Sequence, residues 1–112
     1  MKNQSESVVY NNIKLLRDDN QLFDISLICE DGVILSAHKL ILAAHSDKFK
    51  KILAQLSSTT PAAQSSIFLT GVKGSELEDI LDFMYVGEAR VAQAKLSRFL
   101  HVASFLHINS LV

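Results

Sequence analysis

The chain is poor in the residues that staple, kink or strongly charge a small protein. Among its 112 residues there is one cysteine, Cys29, so no disulfide can form within it. There is one proline, Pro61, and no tryptophan. The 11 basic and 12 acidic residues leave a formal net charge of -1. No basic stripe runs along the sequence, which argues against direct nucleic-acid binding by this segment, because phosphate contacts need clustered Lys and Arg. No apolar run approaches the roughly 18 residues of a membrane span. The opening residues Met1 to Ser7 are polar and do not form a secretory signal. Without a disulfide framework, the expected setting is a reducing compartment, nuclear or alternatively cytoplasmic.

The residues present suit a folded domain. Hydrophobic residues make up 48% and charged ones 21%, which is outside the range of disordered chains. The length fits a single domain over residues 1–112. A domain this small buries only roughly 60–70% of its unfolded surface, so some apolar surface is expected to remain for a partner.

The pattern along the chain alternates between helical and extended periods. Val9, Ile13 and Leu16 recur at helical spacing and predict a first helix over about residues 6–17, with Ser5 or Ser7 as N-cap. Residues 18–22 are polar and turn-like. Phe23, Ile25, Leu27 and Cys29 alternate with Asp24, Ser26 and Glu30, a strand signature. Asp31-Gly32 then marks a hairpin turn, and Val33 to Ala37 the returning strand. Leu40 to Ala44 read as a short helix that is apolar almost all round and therefore buried. Ser46 can cap the next helix, in which Phe49, Ile52, Leu53 and Leu56 form one stripe.

Residues 57–66 read as a solvated loop. Ile67-Phe68-Leu69 predicts a short buried strand that Gly71 ends. Ser75 as N-cap with Glu78 at N3 reads as a capping box. The helix it opens carries Leu77, Ile80, Leu81 and Met84, with Phe83 widening the stripe, and Gly87 stops it. Ala89 to Val91 suggest a minimal strand. Leu96, Phe99, Leu100, Ala103 and Leu106 share one face of a last helix. Helices clustered on one small sheet make an α+β fold.

Catalytic chemistry finds no support. A hydrolase needs a nucleophile and a base brought together, and no Gly-x-Ser-x-Gly elbow is present. Cys29 ends a buried strand, where a small core hydrophobe is the ordinary role of a free cysteine. His38 and His45 lie seven residues apart, and His101 and His107 six apart. Neither pair has the spacing of three or four that places two ligands on one helix face. A zinc site would need such spacing or paired cysteines, so no metal or cofactor is expected. Gly71 and Gly74 are explained by a turn rather than a phosphate loop. Asp24, beside Phe23 and Ile25, and Lys39, within the apolar stretch from Leu35 to Ala44, are opposite charges that could serve each other. If buried, each would need such a partner.

Three blocks carry a resemblance. Phe23-Asp24-Ile25-Ser26-Leu27 is followed by Ala37-His38-Lys39-Leu40-Ile41-Leu42-Ala43-Ala44-His45-Ser46-Asp47-Lys48-Phe49. The third block is Leu81-Asp82-Phe83-Met84-Tyr85-Val86-Gly87-Glu88. In this order and spacing they resemble the BTB/POZ family, most closely the insect zinc-finger transcription-factor (tramtrack-type) group. The resemblance implies a helical cluster with a small sheet at one side. It also implies pairing with an identical chain or another BTB domain, as a homodimer or a higher oligomer, in a transcriptional regulator or chromatin-architecture protein. A corepressor or other chromatin protein is a further implied partner. Asp24 and Lys39 match the family's charged-pocket positions.

Relatives often carry an extra N-terminal strand exchanged between subunits and continue beyond the domain. Here only Met1 to Gln4 precede the first helix, so a helix-mediated dimer is expected, as the N-terminal part of a longer protein. The expected interface residues are Val9, Ile13, Leu16 and Phe23, with part of the hairpin helices, although each would equally serve core packing. The alternative function, a substrate adaptor for a cullin-type ubiquitin ligase, fits less well. Adaptors tend to carry an apolar-x-Glu motif where this chain reads Leu53-Ala54-Gln55-Leu56-Ser57-Ser58.

Overall fold

A hairpin and one parallel strand build the sheet on which the helices pack. The computed structural model describes residues 12, 14–59 and 65–108. Residues 14–18 are helical and close the first helix, α1. There follow β1 (Ile25–Cys29), β2 (Ile34–Ala37), α2 (Lys39–His45), α3 (Asp47–Thr59), β3 (Ser65–Leu69), α4 (Gly74–Val86) and α5 (Gln93–Phe105). The strand order is β2-β1-β3, with β1 antiparallel to β2 and parallel to β3. A parallel pair needs a crossover, and α2 and α3 supply it.

The hairpin closes where Asp31-Gly32 predicts a turn. Gly32 has φ 86°, and its N–H donates to the Cys29 carbonyl at 3.0 Å, while the Cys29 N–H donates to Val33 at 2.8 Å. This three-residue loop needs a left-handed residue at its end, which glycine adopts without steric cost. Alternation along β1 then sends Ile25, Leu27 and Cys29 into the core, where Ala37, Leu42, Phe49, Leu69, Leu77, Ile80, Met84, Tyr85, Val102 and Leu106 meet them. The opposite face of the sheet is open: Ile34 is 61% and Phe68 63% exposed.

Helix starts are satisfied largely by other segments. The first N–H groups of a helix lack intrahelical partners. At α2, the Lys39 amide donates to Asp24 Oδ1 at 2.7 Å. At α3, Ser46 is the cap that the sequence predicts, its Oγ accepting the Phe49 N–H at 3.1 Å and donating to the Leu106 carbonyl. At α4 the expected Ser75 cap is wrong. The helix begins at Gly74, the Lys73 N–H donates to Glu76 Oε1 at 3.0 Å, and the Gly74 N–H donates to the Asp31 carboxylate at 3.1 Å. The hairpin turn thus caps a helix 43 residues away, a long-range partner that a local capping pattern cannot reveal. Gly87 does stop α4, with φ 89°.

Four further expectations are corrected. Within α2 only Ile41 and Leu42 are buried, and Leu40 is 74% exposed, because a helix of two turns turns one stripe inward. In β3, Phe68 faces the open side of the sheet, so that strand is not buried throughout. Residues 89–91 form no strand. In α5 the buried stripe is Phe99, Val102, Ala103 and Leu106, leaving Leu96 and Leu100 exposed on its flank.

Gly74 packs against the hairpin so closely that a Cβ there would lie 2.6 Å from Val33 Cβ. Gly74→Ala is expected to destabilise the domain by about 1–3 kcal/mol through overpacking. Adding Val33→Ala should recover part of the loss, and urea unfolding of the single and double variants measures both effects.

Candidate functional site

Several of the residues that the sequence singles out lie where α1, β2, α2 and α4 meet. His38 follows β2 and precedes α2, and it is buried. Its backbone N–H donates to Tyr85 Oη at 2.9 Å, its Nδ1 lies 2.5 Å from the same oxygen, and its Nε2 lies 2.7 Å from the Gln21 carbonyl. A carbonyl only accepts, so Nε2 carries a proton and Nδ1 receives the Tyr85 hydroxyl. Burial raises the Tyr85 hydroxyl above its ordinary pKa, Asp24 adding to the effect while the His38 amide and Arg17 oppose it. Tyr85 therefore remains a donor. Phe23 packs on the His38 ring at a centroid distance of 4.7 Å, and Tyr85 meets that ring edge-on at 5.6 Å.

Arg17 ties α1 to α4. Its guanidinium bonds Asp82 at 2.8 Å and lies 4.8 Å over the Tyr85 ring. After α1 the chain turns through Asn20 (φ 55°) and Leu22 (φ 61°), both left-handed. Asparagine tolerates that region, but a leucine there is unusual. The turn aims the Gln21 carbonyl at His38 and leaves Leu22 75% exposed. With Leu15 at 55% and Leu40 at 74%, three leucines face outward from α1, the linker and α2.

Of the expected interface residues, Val9 and Ile13 lie outside the described residues. Leu16 and Phe23 are half-buried. Asp24 and Lys39 are both half-buried and are brought together through the backbone, Asp24 Oδ1 receiving the Lys39 amide. Leu15 and Leu22 are absent from the expected interface set, and Leu40 falls within it only as an unnamed part of the hairpin helices. Leu22 could have been found as a lone leucine in an otherwise polar turn. Leu40 was hidden within a continuous apolar run.

The other chemically suggestive groups are structural. Cys29 is buried, and burial, followed by Asp31 and Glu78, pushes its thiol up, away from thiolate chemistry. Burial pushes His45 down. Among the described residues no group of three or more His, Cys, Asp or Glu could hold a metal ion. No helix is long and apolar enough to cross a membrane among them.

A model of the BTB/POZ domain family matches residues 13–112. The chain is similar to the Longitudinals lacking protein-like protein of Drosophila melanogaster, 35% identical over 97% of this chain and 82% of that protein. It is also similar to the Drosophila melanogaster Transcription activator GAGA, 36% identical over 88% of this chain but only 16% of that much longer protein. Among solved structures, the BTB domain of zebrafish PATZ1 superposes with a TM-score of 0.81 over 97% of this chain and 86% of that one, at 22% identity. The last likeness establishes the α+β arrangement of helical cluster and small sheet.

Tyr85→Phe removes one hydroxyl and strands two His38 nitrogens in a buried setting. Leaving a buried polar group unpaired costs about 1–3 kcal/mol. A drop of that size is expected in urea unfolding, with faster amide hydrogen exchange at His38.

Proposed function

This chain belongs to the BTB/POZ domain family, and from that membership we propose that it is a non-enzymatic pairing module of a transcriptional regulator, binding a second copy of itself or another BTB domain. The observation that carries this reading is the outward presentation of Leu15, Leu22 and Leu40, each more than half exposed. Exposed large apolar side chains are available to a partner, and a contiguous group of them marks an interaction surface. Full burial of a leucine contributes about 1.5–3 kcal/mol, whereas association costs roughly 4–15 kcal/mol. Three leucines, at about 4.5–9 kcal/mol per chain at most, overlap that cost without clearly exceeding it. Val9, Ile13, Leu16 and Phe23 supply the remainder, and Asp24 and Lys39 form the charged pocket beside that interface.

The regulatory role rests on similarity to a relative whose name is that of a transcription activator. In such a protein this domain sets the oligomeric state, DNA is contacted elsewhere in the chain, and the location is nuclear. A paired surface of this kind also offers a seat for a corepressor or other chromatin protein.

Light scattering on the purified domain tests the pairing. The expected result at micromolar concentration is twice the chain mass or a higher multiple, and the chain mass alone after Leu22→Glu with Leu40→Glu. A monomeric wild-type domain at that concentration would overturn the proposal.

A further inference from the structure

Beyond the pairing surface, the free edge of the sheet presents a second opening. β2 is an edge strand. Its register pairs Leu35 with Leu27 and Ile34 with Ile28, and the Cys29 N–H donates to Val33. In an antiparallel ladder, residues facing the partner alternate with residues facing away. Val33, Leu35 and Ala37 therefore face β1, while the backbone groups of Ile34, Ser36 and His38 point outward. Tyr85 takes the N–H of His38. Those of Ile34 and Ser36 have no partner among the described residues.

A groove of about 390 Å³ runs along this edge, lined by Ile34, Leu35 and Ser36 of β2, by Glu78 and Leu81 of α4, and by Arg17, Asn20 and Phe23, the last also assigned above to the pairing surface. None of Leu15, Leu22 and Leu40 lines it. Arg17 is already paired with Asp82. Glu78 has no ion pair among the described residues, so the groove carries one uncompensated negative charge beside an apolar floor of Leu35 and Leu81.

We propose that this groove accepts an extended peptide segment from another protein, added as a fourth strand antiparallel or parallel to β2. The unpaired N–H and C=O groups of Ile34 and Ser36 call for a peptide backbone. The strand's inward side chains alternate with outward ones. One inward side chain is apolar and rests on Leu35 and Leu81. The next inward side chain is basic and reaches Glu78. The site lies within a single chain and shares only Phe23 with the proposed pairing surface.

The probe is a capped peptide, Thr-Val-Thr-Lys-Thr-Val-Thr, titrated to about millimolar concentration against the isotope-labelled domain. Binding should shift the amide signals of Ile34 and Ser36 and protect both from hydrogen exchange. N-methylating alternate amides on the edge-facing side of the peptide should abolish this. Glu78→Lys should weaken binding about fivefold, as reversal of one surface charge contact predicts, and should restore affinity for the peptide with Glu in place of Lys. Ser36→Pro, which removes an outward N–H that the ladder does not use, should reduce binding while the domain remains folded. The proposal fails if the peptide leaves these amides unshifted, if the N-methylated peptide binds equally well, or if Glu78→Lys changes nothing. It fails equally if Ile34 and Ser36 become protected with rising protein concentration alone, since a second copy would then cover the edge.

Discussion

The His38 imidazole, held between the Tyr85 hydroxyl and the Gln21 carbonyl, is the contact on which the rest of the arrangement turns. It joins three segments far apart in sequence: the linker after α1, the junction of β2 with α2, and α4. The backbone of the same residue adds a third bond to Tyr85. A buried ring with both nitrogens engaged has one orientation available, so it fixes where β2 ends and α2 begins. One residue later, Asp24 takes the first amide of α2, which aligns the start of β1 with that junction.

This contact also explains how an exposed leucine is held in an unfavourable backbone. Left-handed conformation costs about 1–2 kcal/mol for a residue with a side chain. The hydrogen bonds that hold the linker, from His38 Nε2 to the Gln21 carbonyl and from the Asn20 and Gln21 amides back to the Arg17 and Leu16 carbonyls, contribute roughly 0.5–1.5 kcal/mol each and together offset that cost. The linker is therefore set by its attachment to His38 rather than by its own preference. Leu22 and Leu40, the latter two residues beyond His38, each gain little burial within the single chain. In the proposed pairing a partner would cover both, so the internal lock and the outward surface are two sides of one arrangement.

Much of the fold is legible in the sequence, because alternation along Phe23 to Cys29, the Asp31-Gly32 turn, the Ser46 cap and the Gly87 stop are local signals. The misreadings share one cause. Asp31 caps α4 from the hairpin, and Val102 replaces Leu96 and Leu100 in the core. Tertiary neighbours decide both, and no window of adjacent residues contains them. The outward leucines were missed for a related reason: hydropathy ranks Leu40 with Ile41 and Leu42, yet helix rotation separates them. The family resemblance placed Asp24 and Lys39 near one another, but their closest described contact uses the Lys39 backbone, which side-chain identity does not encode.

The tautomer of His38 tests this account most directly. Nitrogen chemical shifts of the imidazole, read by heteronuclear NMR on the isotope-labelled domain, should show a protonated Nε2 whose hydrogen exchanges slowly, and a bare Nδ1 receiving the Tyr85 proton. A proton on Nδ1 alone, or two tautomers in rapid exchange, would contradict the account, because the ring would then not be anchored to Gln21 and the Leu22 turn would lose its tie to the β2–α2 junction.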